Sequence, residues 1–531
     1  MPVPRLLCLS GLLSLILCQP GKLQADDKEE TLARGPIHEA FAEPVDSQLA
    51  ESLVVPKEPP APVNELPPDQ RPVGDNVQWL PGYWHFDEER KDYIWVSGFW
   101  RVPPPNRTWM PGSWRQVQEG WQWTPGLWTT AAQQTSEIQY LPAPPQSREA
   151  GPSTPAPTVT AVYVPGGYVY RNGEYFWRPG YWAENKPGWI WIPPHYRWTP
   201  VGYVHVEGYW DYPMGDRGML FAPAYIPRDV YLAQGYYYSP TIVVREQCMY
   251  GAMFVRRGYG CYYFGDYFDA RYANAGYVTW GGYRGGDRVV VVNGYYDPMY
   301  SYYRVTYRED PYWQRGVVDI YVGRFGGTVA RPPVTLVEQR VVVNNITINN
   351  VTVNNTHVNN VSMLTPISEA SKTTNVKLQR VPDAERRQHF MAAREMHQVA
   401  ARRAEAETKL ARTPNANPNA PRSVKTESIK QASATNPATG HGAAAIHPGT
   451  TPNAGATHPG TTPNAGATHP GATPNTGVTH PGTTPNTGTR PGTTPPGHPM
   501  TPATGTKPPT HPTTTPPGHS TTKEKEKKPN P

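Results

Sequence analysis

The chain has four cysteines in 531 residues, and two of them, Cys8 and Cys18, lie within the first 25. Cys248 and Cys261 alone remain beyond that point, with no nearby histidine to complete a zinc set and no C-x-x-C spacing. Charge is sparse, at 17% of residues. The formal +6 is carried by the ends, because residues 413–531 hold nine Lys or Arg against three acids. What lies between has no basic excess, so no nucleic-acid partner is expected. Long apolar runs are missing too. Leu6–Cys18 is shorter than the roughly 20 residues a spanning helix needs, and no transmembrane segment is expected elsewhere. No G-x-S-x-G, H-E-x-x-H or P-loop pattern occurs, and the Gly-rich stretch 280–286 lacks the Lys-Ser/Thr of a phosphate site. The chain is therefore read as non-enzymatic, with no cofactor and no metal site.

Tryptophan is what the sequence has instead. Fifteen of its 17 Trp lie between Trp79 and Trp210. They fall in a six-residue unit: WLPGYW at 79–84, WVSGFW at 95–100, WMPGSW at 109–114, WTPGLW at 123–128 and WRPGYW at 177–182. Two degraded copies follow, WIPPHY at 191–196 and HVEGYW at 205–210. Pro-Gly suits the central positions of a type II turn, with Gly at φ > 0. On that reading Trp79 faces Trp84 across a tight turn, the Gly82, Gly112, Gly126 and Gly180 positions are left-handed, and the polar stretch 87–91 is the next turn of a β-meander. An L-Pro-Gly turn has the wrong twist for a two-residue hairpin, which allows a wider loop.

These units resemble the exported bacterial WXXGXW (YXWGXW) repeat proteins. Five copies keep Trp, Gly and Trp, and the Tyr/Gly-rich FVRRGYGCYYFGDYF at 254–268 is similar to the segment that accompanies such repeats. The resemblance implies export and a repeat architecture, and carries over no activity and no functional residue.

Along the chain the expected organisation is as follows. Residues 1–25 read as a secretory leader ending at Ala25; lipidation at Cys18 is the alternative, and Leu17 before it argues against that. Residues 26–76, with twelve acids and four bases, read as a disordered acidic Pro-rich arm. Repeat blocks occupy 77–128 and 162–212, with a Pro-rich linker at 129–161. A Tyr/Gly-rich β domain is expected over 213–340, with strands at 241–245, 288–292, 317–322 and 334–337. Residues 341–365 carry Asn-rich pentads, read as a polar hairpin set or an extended ladder. Residues 382–412 form a charged surface helix or short coiled coil capped by Asp383. The low-complexity remainder, 413–531, is expected to be a disordered tail. The fold class is mainly β.

Cys248 and Cys261 are candidates for one disulfide in an exported chain, with free thiols as the alternative. His85, His195 and His205 read as structural. Two functions fit. In one, the protein is a structural or assembly component of the cell envelope, in the periplasm or at the cell surface, and the Trp rows are its core. In the other, Trp84, Trp100, Trp114, Trp128, Trp182 and Trp210 form a stacking platform for cell-wall glycans. Exposure of those rings separates the two.

Overall fold

The tryptophan motifs pair with one another instead of folding back on themselves. In the computed structural model, Gln78–Leu80 and Tyr83–Asp87 flank Pro81-Gly82, while Asp92–Val96 and Phe99–Arg101 flank Ser97-Gly98. Tyr83–Asp87 pairs antiparallel with Asp92–Val96, and Gln78–Leu80 with Phe99–Arg101. Two motifs thus make one long hairpin, closed at the polar turn and broken where the two Gly segments face each other. The described residues are 29–45, 51–130, 137–256, 261–284, 290–291, 297–310, 313–348, 362–373, 376–414, 417 and 419–425. All belong to one unit, residues 1–440. The expected leader and the His-bearing repeats of the tail lie outside them.

Three more hairpins repeat the plan: Arg107–Met110 and Ser113–Val117 with Gly120–Thr124 and Leu127–Thr130; Ala161–Val164 and Gly167–Arg171 with Glu174–Arg178 and Tyr181–Glu184; and Ile190–Ile192 and His195–Thr199 with Gly202–Val206 and Tyr209–Asp211. The third hairpin contains an eighth copy, Tyr163-Val-Pro-Gly-Gly-Tyr168, in which Tyr stands for both Trp. In every hairpin the first aromatic of one motif faces the last aromatic of the other. The register sets Trp79 opposite Trp100, Trp84 opposite Trp95, Trp109 opposite Trp128 and Trp114 opposite Trp123. It continues with Tyr163 and Trp182, Tyr168 and Trp177, Trp191 and Trp210, and Tyr196 and His205. Ring centroids in these pairs are 5.0–5.6 Å apart. Each such contact is worth roughly 0.5–1.5 kcal/mol beyond the area it buries.

The expected Pro-Gly hairpin turn is therefore corrected. Trp79 does not face Trp84, and none of Gly82, Gly112, Gly126 or Gly180 has a left-handed φ. These glycines answer to space. A Cβ on Gly98 would lie 2.7 Å from Trp79 Cζ2, and one on Gly126 would lie 2.2 Å from Trp109 Cζ2. In each case the crowding ring is the first Trp of the opposite motif. Left-handed backbone occurs in the end turns, as at Asn172 (φ 51°) and Gly173 (φ 87°), the two-residue type I′ turn that matches strand twist. A Pro-Gly turn of the expected kind is found at Lys186–Trp189, where Gly188 has φ 77° and Trp189 N donates to Lys186 O at 3.0 Å.

The fold is mainly β, in many small antiparallel sheets. Five expectations about its surroundings change. The acidic arm is not a solvated linker: Ile37, His38, Glu39, Ala40, Phe41, Ala42 and Glu43 are all buried, and Ile37, Ala40, Phe41 and Ala42 belong to the main core with the repeats. In the Tyr/Gly-rich region Ile242–Val244 and Val290–Val291 are strands, and Met253–Arg256 lies between Tyr262–Phe264 and Tyr277–Thr279. Residues 317–322, however, fall in the helix Trp313–Phe325. There Trp313, Val317, Ile320, Tyr321 and Arg324 are buried at helical spacing on one face. Likewise residues 336–348 form the helix Leu336–Ile348, which takes in the end of the expected strand 334–337 and the first pentads; pentad residues 349–361 lie outside the described residues.

The helix Asp383–Arg412 is present, but as a docked element and not a surface helix. Its Ala393, Val399, Ala400, Arg403 and Glu407 are buried, and Pro382, not Asp383, holds the N-cap position. The boundary expected at residue 413 also moves. Arg422–Lys425 pairs antiparallel with Glu137–Tyr140, inside the stretch read as linker, and Val424 is buried. Among the described residues no helix is long and apolar enough to cross a membrane.

Candidate functional site

Each long hairpin is broken at its paired Gly segments, and a break frees backbone N–H and C=O groups that must find partners once buried. In the first hairpin the carboxylate of Glu65 accepts from Gly82 N at 2.9 Å, from Gly98 N at 2.8 Å and from Trp95 Nε1 at 3.0 Å. Burial pushes this carboxyl up to about 7, against the pull of the three donors. On the carbonyl side His38 Nε2 donates to Pro81 O at 3.0 Å. His38 Nδ1 accepts from Ala40 N at 3.1 Å, so the ring is the neutral Nε2–H tautomer. Burial holds it well below the usual imidazole range, at about 4.

The second hairpin has the same acid-and-base closure from different sources. Glu39 accepts from Gly126 N and from Trp123 Nε1, both at 2.8 Å. Arg403 of the long helix donates to Pro111 O at 3.3 Å and to Pro125 O at 3.0 Å, and pairs with Glu407 at 2.9 Å. In the third hairpin Glu149, from the expected linker, accepts from Gly166 N and from Tyr163 OH. The fourth departs. Pro194 replaces one glycine, and the ring that would crowd it is His205 where the other hairpins have Trp95, Trp123 or Trp177. The break's carbonyl is served locally, by His195 Nδ1 on Pro193 O at 3.0 Å.

The arm is held along its length by buried charge. Arg101 donates to Ala40 O, Arg217 to Phe41 O, and Asp211 receives both guanidiniums at 2.7 and 3.1 Å. Glu43 accepts from Arg197 at 3.1 Å and Tyr209 OH at 3.0 Å, and these partners hold its carboxyl below the usual range despite burial.

The six rings named for glycan stacking divide three and three by burial. Trp84, Trp100 and Trp128 are 3%, 0% and 1% exposed, so no face is open to a ligand. The arm also takes their edges: Trp84 Nε1 donates to Ala61 O and Trp100 Nε1 to Gln70 O, both at 2.9 Å. Trp114, Trp182 and Trp210 are half-buried. Trp114 Nε1 donates to Trp84 O, and Trp182 Nε1 to Thr154 O. The expected Cys248–Cys261 bridge is corrected as well. Both are buried free thiols in separate surroundings: Cys248 Sγ donates to Ser362 O, while Cys261 lies near Glu39, Arg197 and Tyr263.

Of the six rings, Trp210 lines a cleft. The cleft, of about 250 Å³, runs between the third and fourth hairpins. Its walls include Tyr181, Trp189, Trp191 and Trp210, with Glu184 and Lys186 as charged members and Tyr302 of the helix Pro298–Thr306 beneath. Trp191 packs tilted against Trp210, ring centroids 5.1 Å apart, and Trp189 against Tyr212 at 4.9 Å. The Lys186–Trp189 turn is pinned by Gly188 N donating to Tyr302 OH at 3.1 Å. Sequence reading missed Trp189, Trp191, Tyr181 and Lys186. The signal available for them was their crowding within 181–191, outside or at the edge of the intact motifs. Among the described residues no cluster of His, Cys, Asp and Glu is arranged to hold a metal ion. No family model, curated protein or solved structure matches the chain.

Proposed function

We propose that the protein is a non-enzymatic, exported component of the cell envelope with a structural or assembly role, as its resemblance to the WXXGXW repeat proteins and its leader-like first 25 residues imply. The observation that carries this reading is the burial of Trp84, Trp100 and Trp128. Eight paired aromatic rungs, six of them in hairpins closed by Glu39, Glu65 and Glu149, are spent on making the chain rigid. Partners are then other envelope proteins that meet its outer surface, where Phe176 is 52% exposed and Tyr181 42%. A photo-crosslinking residue at Phe176 in intact cells tests this. Adducts with envelope proteins are expected. A chain that fractionates in the cytoplasm and gives no adduct would contradict it.

A second reading is favoured by one observation, the aromatic cleft at Trp210. Amphipathic rings with a few polar groups beside them suit a sugar ring, whose C–H face lies on an aromatic ring while its hydroxyls bond at the edge. Glycan binding is then confined to the second repeat block and is an added role of the scaffold.

A further inference from the structure

The cleft between the third and fourth hairpins has a charge that the described residues leave unbalanced. Lys186 Nζ is held 5.0 Å from the centroid of the Trp189 ring and 5.2 Å from that of Trp210. Among the described residues no carboxylate comes within ion-pair reach of it. Glu184 lines the same cleft, and both its oxygens are engaged: Oε1 accepts from Thr158 Oγ1 at 2.7 Å and Oε2 from Thr160 Oγ1 at 2.8 Å. Those two hydroxyls lower its pKa and turn its charge toward the 158–160 segment. The cleft therefore presents an aromatic wall with one free cation fixed against it. The turn that carries Lys186 is itself anchored to Tyr302, so the ammonium is positioned before any ligand arrives.

We propose that this cleft binds an acidic saccharide, a pyranose bearing a carboxylate. The inference rests on the glycan-binding reading above and adds the class of sugar. The sugar ring lies against the exposed Tyr181 wall of the cleft, and its carboxylate pairs with Lys186, whose ammonium already covers the Trp189 and Trp210 rings. A carboxylate on a ligand ring is a better match than a free small anion, because the surrounding wall offers apolar area that an inorganic ion cannot use. It is a better match than a neutral sugar, because the ammonium gains a partner without losing its contact with the rings.

The test is calorimetric titration of the full chain with a glucuronate-containing oligosaccharide and with the matching neutral glucose oligosaccharide. The acidic sugar should bind at least tenfold more tightly, and the difference should shrink as salt is raised. Lys186→Gln, an exposed change that leaves the core alone, should abolish the difference and keep the weaker neutral binding. Tyr181→Ala, at a residue 42% exposed, should remove binding of both. Equal affinity for the two sugars, or a preference that survives Lys186→Gln, would overturn the acidic class and leave glycan binding standing. No binding of either sugar to folded protein would overturn the glycan reading as well, and would leave the scaffold role untouched.

Discussion

The backbone N–H of Gly98 ends on the carboxylate of Glu65, 2.8 Å away and 33 residues earlier in the chain. This contact joins two features that look unrelated in the sequence, a glycine required by its tryptophan neighbours and an acid in a proline-rich arm. The glycine is required because the opposite indole leaves no room for Cβ. The room so made exposes an N–H, and the acid closes it.

Adjacent glycines in the third hairpin give the first prediction. A Cβ on Gly166 would meet Trp177 Cζ2 at 2.6 Å and Arg178 O at 2.9 Å, whereas one on Gly167 meets nothing within 4 Å. Gly166→Ala should cost about 2–3 kcal/mol, in the range of overpacked cores, and Gly167→Ala under about 0.5 kcal/mol. Denaturant unfolding of the two variants checks this.

The fourth hairpin supplies a coupled pair. Pro194 stands where the other hairpins have glycine, and His205 where they have a Trp facing it. Introducing His205→Trp alone should crowd Pro194 and destabilise by about 1–3 kcal/mol. Adding Pro194→Gly should restore much of that loss, a coupling measurable in a double-mutant cycle. Additive effects would show that the two positions do not share the notch.

Acid should weaken the fold through buried imidazoles. His38, His85 and His397 are each held at about 4 by burial, below the unfolded value near 6.5. Between pH 6.5 and 4 the unfolded chain binds more protons at these sites, so their contribution is present above pH 6.5 and lost as pH falls. Each contributes on the order of 3 kcal/mol across that window. Glu65 acts with the opposite sign. Its raised pKa makes the folded chain bind the extra proton, so its contribution is present below about 4.5 and is lost as pH rises through about 7. Thermal melts from pH 7 to pH 4 should show a net fall in stability, and His38→Gln should reduce its slope.

The C-terminal boundary is testable by truncation. Deleting 441–531 should leave the melting transition of the remainder unchanged. Deleting 413–531 also removes Arg422–Lys425 and the burial of Val424, and should cost about 2 kcal/mol or more. Equal transitions for the two truncations would show that the strand contributes nothing.

The β class and the motif register were legible because Trp and Gly recur at a fixed spacing. The pairing was not, because Pro-Gly invites a local turn and the spacing is symmetric between a motif and its successor. Tyr163–Tyr168 escaped because its aromatics are Tyr, although its Pro165-Gly166 and its 14-residue distance to Trp177 mark it. Glu39 and Glu65 were hidden for a different reason. Their partners are backbone amides, which leave no trace in residue type, together with one indole N–H each, from Trp95 and Trp123, that no local spacing ties to them, so acids that close a core look the same as acids that solvate an arm. The helix Trp313–Phe325 was legible in principle, through Trp313, Val317, Ile320, Tyr321 and Arg324 at helical spacing, but its Val-rich centre reads as strand.

The carboxylate closure of the glycine breaks is tested most directly by amide hydrogen exchange at Gly82 and Gly98 in the intact chain. Both N–H groups are bound to Glu65 and not to a strand partner. Exchange at both should be slowed to the level of global unfolding. Glu65→Ala should release these two amides while Gly126, held by Glu39, stays protected. Fast exchange at Gly82 and Gly98 in the unaltered protein, or protection that survives Glu65→Ala, would contradict the account.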